Sequence, residues 1–210
     1  MKYVSIDIET TGLSADKNQM VEFGAVVEDL SATSIHVDDL PSFRAIIIDP
    51  EGEYRISPFV MKMHTKLFEE IGSVQKDKLE KEGWYTHEES TAKHTVIVSH
   101  PFILVHRFLA WLRTYDCFSG KGKVIPAGKN FYGFDYRFIE PLFKGGVQFH
   151  HRGLDPVMYY IKPTDRKPPD LQLCCERADL PMSNYHTAVG DAKMVIDLIR
   201  IGMKRCGLAV

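Results

Sequence analysis

The sequence predicts an α/β fold: a mixed five-stranded sheet, an antiparallel meander plus parallel strands, flanked by helices. Three observations carry this reading. Three apolar, β-branched segments joined by short polar connections open the chain, strands and helices alternate after residue 100, and 210 residues suffice for one substantial core but not for two.

Residues 3–9 alternate, with Tyr3, Ser5, Asp7 and Glu9 on one side of a strand and Val4, Ile6 and Ile8 on the other. The turn "TTGLSADKN" leads to a second strand, "MVEFGAVVED", and "FRAIIID" (43–49) makes a third that Pro50-Glu51-Gly52 closes. Their connections are too short for crossover helices, so the three pair antiparallel. "SPFVMKMHTKLFEEI" reads as a helix capped by Ser57 with Pro58 at its first position. Residues 73–95 are charged, lack a continuous apolar face and read as an insertion or mobile segment. Two roles stay open for it: a solvated loop with a small cluster around Trp84, or a lid whose Trp84 and Tyr85 stack on a base. "PFILVHRFLAWLRTY" is a buried helix and "KVIPAGKN" a fourth strand. "FYGFDYRFIE" is a helix ended by Pro141, and "VQFHHRGLDPV" a fifth strand. Helices near 170–179 and 187–205 complete a single domain over 1–210 with no internal repeat.

The formal net charge of −2 excludes a protein that coats nucleic acid by bulk charge, but the charges are unevenly distributed. Residues 1–70 hold 6 Lys/Arg and 13 Asp/Glu, whereas residues 121–167 hold 9 Lys/Arg and 4 Asp/Glu. The second stretch is either a basic strip suited to a phosphate backbone or a set of scattered solvated lysines. Cys117, Cys174, Cys175 and Cys206 show no zinc-like spacing and read as free thiols of a reducing compartment. His87, His94, His100 and His106 lack thiols and regular spacing, which argues against zinc. With no signal-like h-region and no apolar run of bilayer length, the expected setting is cytoplasmic, with no membrane contact.

Asp7 and Glu9, two apart on a strand, point to the same face roughly 7 Å apart. Flanking Val and Ile imply a covered central strand, where paired carboxylates are costly unless they ligate or pair with cations. Asp135 shares a helical stripe with Phe131, Phe138 and Ile139, and Asp191 shares one with Ala188, Val195 and Leu198. Two acids on the core faces of different helices suggest a common destination. Four carboxylates in one cleft call for divalent cations. His186, five residues before Asp191, is suited to accept a proton from water beside such a site.

"DIETTGL", "NFYGFD" and "HTAVGDA" resemble, in order and spacing, the three motifs of the DnaQ-like, DEDDh 3′–5′ exonucleases. The resemblance covers nearly the whole chain, since "LDPVMYY" and "PDLQLCCERADLP" resemble the family's connection between its second and third motifs. The histidine position fits the His subclass; the position that is Tyr in the other subclass is Thr187 here. Asn130, five residues before Asp135, resembles the oligoribonuclease and TREX-type spacing.

The resemblance implies an RNase H-like fold and hydrolysis with two divalent ions, Mg²⁺ or Mn²⁺. The expected product is a nucleoside 5′-monophosphate, released from single-stranded 3′ ends of DNA or short RNA. By motif, Asp7 would bridge both ions, Glu9 and Asp191 would join it on the ion holding the attacking water, and Asp135 would support the other. His186 would deprotonate the water. Thr10 and Thr11 would hold the terminal 3′-hydroxyl, and Leu13 would wedge against the last base. Met63 and His64 would line the nucleotide pocket, with Asn130 and Phe131 as further substrate contacts. Some relatives dimerise, so a homodimer is possible. The alternative is a non-catalytic protein that retains the fold to bind 3′ ends.

Overall fold

The computed structural model describes residues 1–49, 51–74, 76–182 and 186–208. In chain order the strands are β1 (Lys2–Thr10), β2 (Met20–Asp29), β3 (Ser42–Ile47), β4 (Tyr85–Ser90), β5 (His94–Ser99), β6 (Phe118–Ser119), β7 (Lys123–Val124) and β8 (Pro126–Ala127). The helices are α1 (Pro58–Met63), α2 (Thr65–Ser73), α3 (Lys76–Lys81), α4 (Pro101–Thr114), α5 (Asp135–Phe143), α6 (Val157–Tyr160), α7 (Leu171–Ala178) and α8 (Ala188–Arg205).

The main sheet runs β4-β5-β3-β2-β1-β8, and β6 and β7 form a separate hairpin. β1, β2 and β3 make the expected antiparallel meander, while β8 runs parallel to β1 and β5 parallel to β3. The mixed sheet flanked by helices is therefore present, with six strands rather than five. Two corrections account for the count. The stretch 73–95, expected as an insertion or mobile segment, instead contributes α3, β4 and the start of β5, and β4 and β5 extend the sheet beyond β3. The β-branched run of "HTVIVS" is a strand signal, obscured in sequence by the charged residues before it. Conversely, "VQFHHRGLDPV" forms no strand; only Phe149 and Leu154 bridge, to Val124 and Ala127.

Trp84 and Tyr85 are half-buried and already in contact with the fold. Trp84 packs against the cluster of Ile46, Leu79 and Val98 with His100 edge-on at 5.6 Å, and the Arg107 guanidinium lies 3.7 Å over the Tyr85 ring.

The alternation of β1 sorts the core. Val4, Ile6 and Ile8 pack with Leu104, Phe108 and Trp111 of α4 and Ile139 and Phe143 of α5. Tyr3, on the opposite face, packs with the apolar side of α7 and α8. Asp7 and Glu9 share that second face, so they look toward the start of α8. Helix α8 can approach there because β2 carries Gly24 directly across from Asp7. A Cβ on Gly24 would stand 2.3 Å from the Ala188 backbone. Helix α5 continues past Pro141, correcting the expected stop there; it ends two residues later at Phe143.

Candidate active site

The sheet and two helices bring the predicted acids together. Ligand oxygens of Asp7, Glu9 and Asp191 lie within 4.8 Å of one another. β1 supplies the first two and the first turn of α8 supplies Asp191. Thr187 caps that helix, accepting from the Gly190 N–H at 3.2 Å. Asp135 opens α5 and stands outside the tight trio, its carboxylate accepting from the Ile8 N–H. It is buried, as are Glu9 and Asp191, while Asp7 keeps a partial opening to solvent.

The electrostatics follow from this crowding. Burial, then Asp191, Glu22 and Asp135, push the Glu9 carboxyl up to about 9. Burial raises Asp135 and Asp191 to about 7 each. Asp7 is raised well above the ordinary carboxylate range by burial and then by Asp135, Asp191, Glu9 and Glu22. Among the described residues, Glu9 Oε1 and Asp191 Oδ1 are buried with no hydrogen-bond partner. Hard carboxylate oxygens, close together and unpartnered, fit a divalent cation of the Mg²⁺ or Mn²⁺ kind.

His186 adopts a left-handed backbone (φ 65°) just before the α8 cap, and its N–H donates to Asp191. Burial lowers its imidazole below the ordinary histidine value, favouring the neutral, proton-accepting form. His64 breaks the long helix expected over 58–71 into α1 and α2, and its side chain is buried. It is 6% exposed, with Nε2 3.4 Å from Glu9 Oε2 and its ring perpendicular to that of His186 at 6.0 Å.

The other expected substrate contacts are placed unevenly. Leu13 is 87% exposed and Met63 is 38% exposed, so both offer apolar surface. Thr10 donates from Oγ1 to the Gly12 carbonyl at 2.8 Å. The Thr11 N–H donates to the Gln19 carbonyl, and its Oγ1 accepts from the Gln19 N–H at 3.0 Å. Thr11 thus shapes the turn, and its N–H is already engaged. Gln19 in turn pins this turn to the segment before α1, donating to the Glu53 carbonyl and accepting from the Arg55 N–H.

Asn130 has a left-handed backbone (φ 58°), and its N–H donates to Asp155 at 2.9 Å. It shapes the loop that delivers Asp135. Phe131 is corrected from substrate contact to core residue, since it is 4% exposed and packed among Tyr132, Tyr136 and Phe149.

A fifth carboxylate escaped the sequence reading. Glu22 lies directly across from Glu9 and is 1% exposed. One oxygen accepts from Arg44 Nε at 2.5 Å, the other from the first N–H of α8, on Ala188, at 3.0 Å. Arg44 also reaches Glu70 of α2 at 2.9 Å. This link fastens α8 and α2 to the sheet on either side of the acids. Its only sequence signal was an acid at a core position of an apolar strand. Arg44→Met should leave Glu22 buried without its cation beside four other carboxylates. The expected loss of stability is about 3–5 kcal/mol, read by urea denaturation in EDTA; a loss below about 1 kcal/mol would show that the pair is screened like a surface bridge.

Fold and site together define a domain of the exonuclease class. Residues 4–155 match the family model described as RNase_T, exonuclease, and the chain belongs to that family. His186 and Asp191 lie beyond the matched stretch, so their membership in the site rests on the geometry above. Similar solved structures include cell-death related nuclease 4 (CRN-4), at 13% identity and a TM-score of 0.63, with 98% of this chain and 64% of that chain covered. Another is a full-length 3′-exonuclease, at 13% identity and TM-score 0.60, covering 98% and 61% respectively. Exonuclease I of E. coli in complex with a dA16 oligonucleotide matches at 14% identity and TM-score 0.58, covering 97% and 41%. The chain thus spans less than two thirds of these proteins, and the likeness is one of fold. No curated protein matches the chain.

Proposed function

We propose that this protein is a metal-dependent 3′–5′ exonuclease of the DEDDh type, hydrolysing phosphodiester bonds at single-stranded 3′ ends of DNA or short RNA. The observation that carries the reading is the meeting of Asp7, Glu9 and Asp191 within 4.8 Å, with buried, unpartnered oxygens on two of them. Two divalent ions, Mg²⁺ or Mn²⁺, held by these residues and Asp135, would supply positive charge to offset that developing on the phosphate oxygens. By holding that charge at one end of β1, the acids would fix the position of the scissile phosphate. His186, kept neutral by burial, takes the proton of the attacking water and passes it on to solvent. Leu13 and Met63 present apolar surface to the terminal base, and Thr10 lies at the end of β1 beside the acids. The product is a nucleoside 5′-monophosphate. Among the described residues, no helix is long and apolar enough to cross a membrane. The free thiols suit a cytoplasmic setting.

The test is to digest matched DNA and RNA oligonucleotides of increasing length, with Mg²⁺, with Mn²⁺ and with EDTA, and to identify the products. Metal-dependent release of 5′-mononucleotides is expected. Strand binding without such release would favour the non-catalytic alternative. His186→Ala should slow single-turnover cleavage by roughly 10²–10⁴-fold while leaving metal binding, read by calorimetry, little changed. Because burial lowers the imidazole, its share of the rise in activity with pH should lie at or below about 6.5, and at saturating metal that share should be absent in the variant. An unchanged single-turnover rate would remove His186 from the mechanism.

A further inference from the structure

The basic residues of the stretch 121–167 are not used by the chemistry above, yet two of them border a cavity of about 690 Å³ lined by Lys123, Tyr136, Glu140, Lys144, Gln148 and Phe149 among others. Helix α5 packs on the sheet face opposite to Asp7 and Glu9 and joins the cavity to the acids through Asp135 at its start. Asp135 stands at its first position, and Glu140, Phe143 and Lys144 line the cavity at its far end, about 13 Å along the helix.

Aromatic rings mark the same path. Tyr132, 37% exposed, meets Tyr136 at 5.3 Å, and Tyr136 meets Phe149 at 6.1 Å. Cations accompany the rings. Lys129 acts on Asp135 at the near end, Arg137 is exposed along the helix, and Lys123 and Lys144 sit at the cavity. Glu140 is the opposing charge; it accepts from the Tyr136 hydroxyl at 3.3 Å, and the lining still carries two ammonium groups against one carboxylate. Rings spaced along a positively charged track are the means by which proteins hold single strands without reading sequence, and the cavity's volume suits a nucleotide.

We propose that this cavity is a subsite for upstream nucleotides of the strand whose 3′ end lies at Asp7, Glu9 and Asp191, so that oligonucleotides are preferred over dinucleotides. The proposal rests on the nuclease reading and adds a substrate length to it. The strand leaves the acids along α5, its phosphates pass Lys123 and Lys144, and a base lies against Tyr136 and Phe149.

The test uses the full chain in an Asp7→Ala background, so that nothing is cleaved. Binding of a 5′-labelled single strand of about twelve nucleotides is read by fluorescence anisotropy over a salt series. Lys123→Glu with Lys144→Glu is expected to raise Kd by about tenfold or more and to lower the slope of log Kd against log salt by about 1.4, the value for two single-strand phosphate contacts. Tyr136→Ala, with folding checked by circular dichroism, should raise Kd by about 5- to 150-fold, the loss of one base–aromatic stack. Dinucleotide affinity, measured by competition, should be unchanged in both variants.

Equal Kd and equal slope for the long strand would overturn the subsite. So would a parallel loss for dinucleotide and long strand, which would mean that the variants act through the acids. Unchanged strand binding with altered self-association in sedimentation would reassign the cavity to a protein contact and equally overturn it. Because anisotropy reads binding alone, a wild-type protein that releases no mononucleotide would sink the nuclease reading without deciding the subsite.

Discussion

Asp7→Asn should abolish hydrolysis and, in the absence of metal, make the protein more stable. The side chain stands where the fields of Asp135, Asp191, Glu9 and Glu22 add to the cost of burial, and its carboxyl is raised accordingly. In the metal-free protein above neutral pH, folding must either ionise this group among like charges or hold a proton that the unfolded chain would release. An uncharged amide of the same shape does neither, so stability in EDTA at pH 8 should rise by about 1–3 kcal/mol. Turnover should fall by about 10³-fold or more, because the group expected to hold the cations is gone. Urea denaturation and mononucleotide release read the two effects separately. Retained activity would remove Asp7 from the metal site, and a less stable variant in EDTA would mean that the carboxylate is satisfied by the protein itself.

The second large effect concerns pH. Asp135 and Asp191 hold their protons to about 7 in the folded protein, and Glu9 to about 9, through burial first and neighbouring carboxylates second. In the unfolded chain such groups release protons near pH 4. Between those values the folded state binds more protons, so each pH increment across that range costs stability. The metal-free protein is therefore expected to be more stable at pH 5 than at pH 8.5, with Tm falling by about 5–15 °C. Excess Mg²⁺ or Mn²⁺ should cancel the fall or reverse its sign, because ligands must be deprotonated to bind. A flat profile in EDTA would contradict the crowding of the acids. A fall that neither ion relieves would contradict the metal site, while leaving the crowding intact.

Much of the site was legible in the chain. The two-residue spacing of Asp7 and Glu9 on an alternating strand fixes their shared face whatever the rest of the fold does, since side-chain direction in a strand is local. Helical spacing placed Asp135 and Asp191 on buried faces for the same reason. The meander was legible because its connections are short. Residues 85–99 were not, because a parallel partner for "HTVIVS" is β3, some fifty positions away, and charge in the adjoining segment masked the run. Nor could periodicity separate Phe131 from an exposed aromatic next to it: Tyr132, one residue on, is the one that reaches the surface.

Local spacing thus marked which residues are candidates for the chemistry and which way each points, since backbone period is a property of neighbours in sequence. Tertiary structure alone decided that Asp7, Glu9 and Asp191 meet within 4.8 Å and that His64 turns onto Glu9. It alone also made Glu22 a bridge between Arg44 and the start of α8 rather than one more acid. These outcomes depend on strand register and on how closely α8 approaches Gly24, and pairing across 166 positions between Glu22 and Ala188 leaves no local pattern to read.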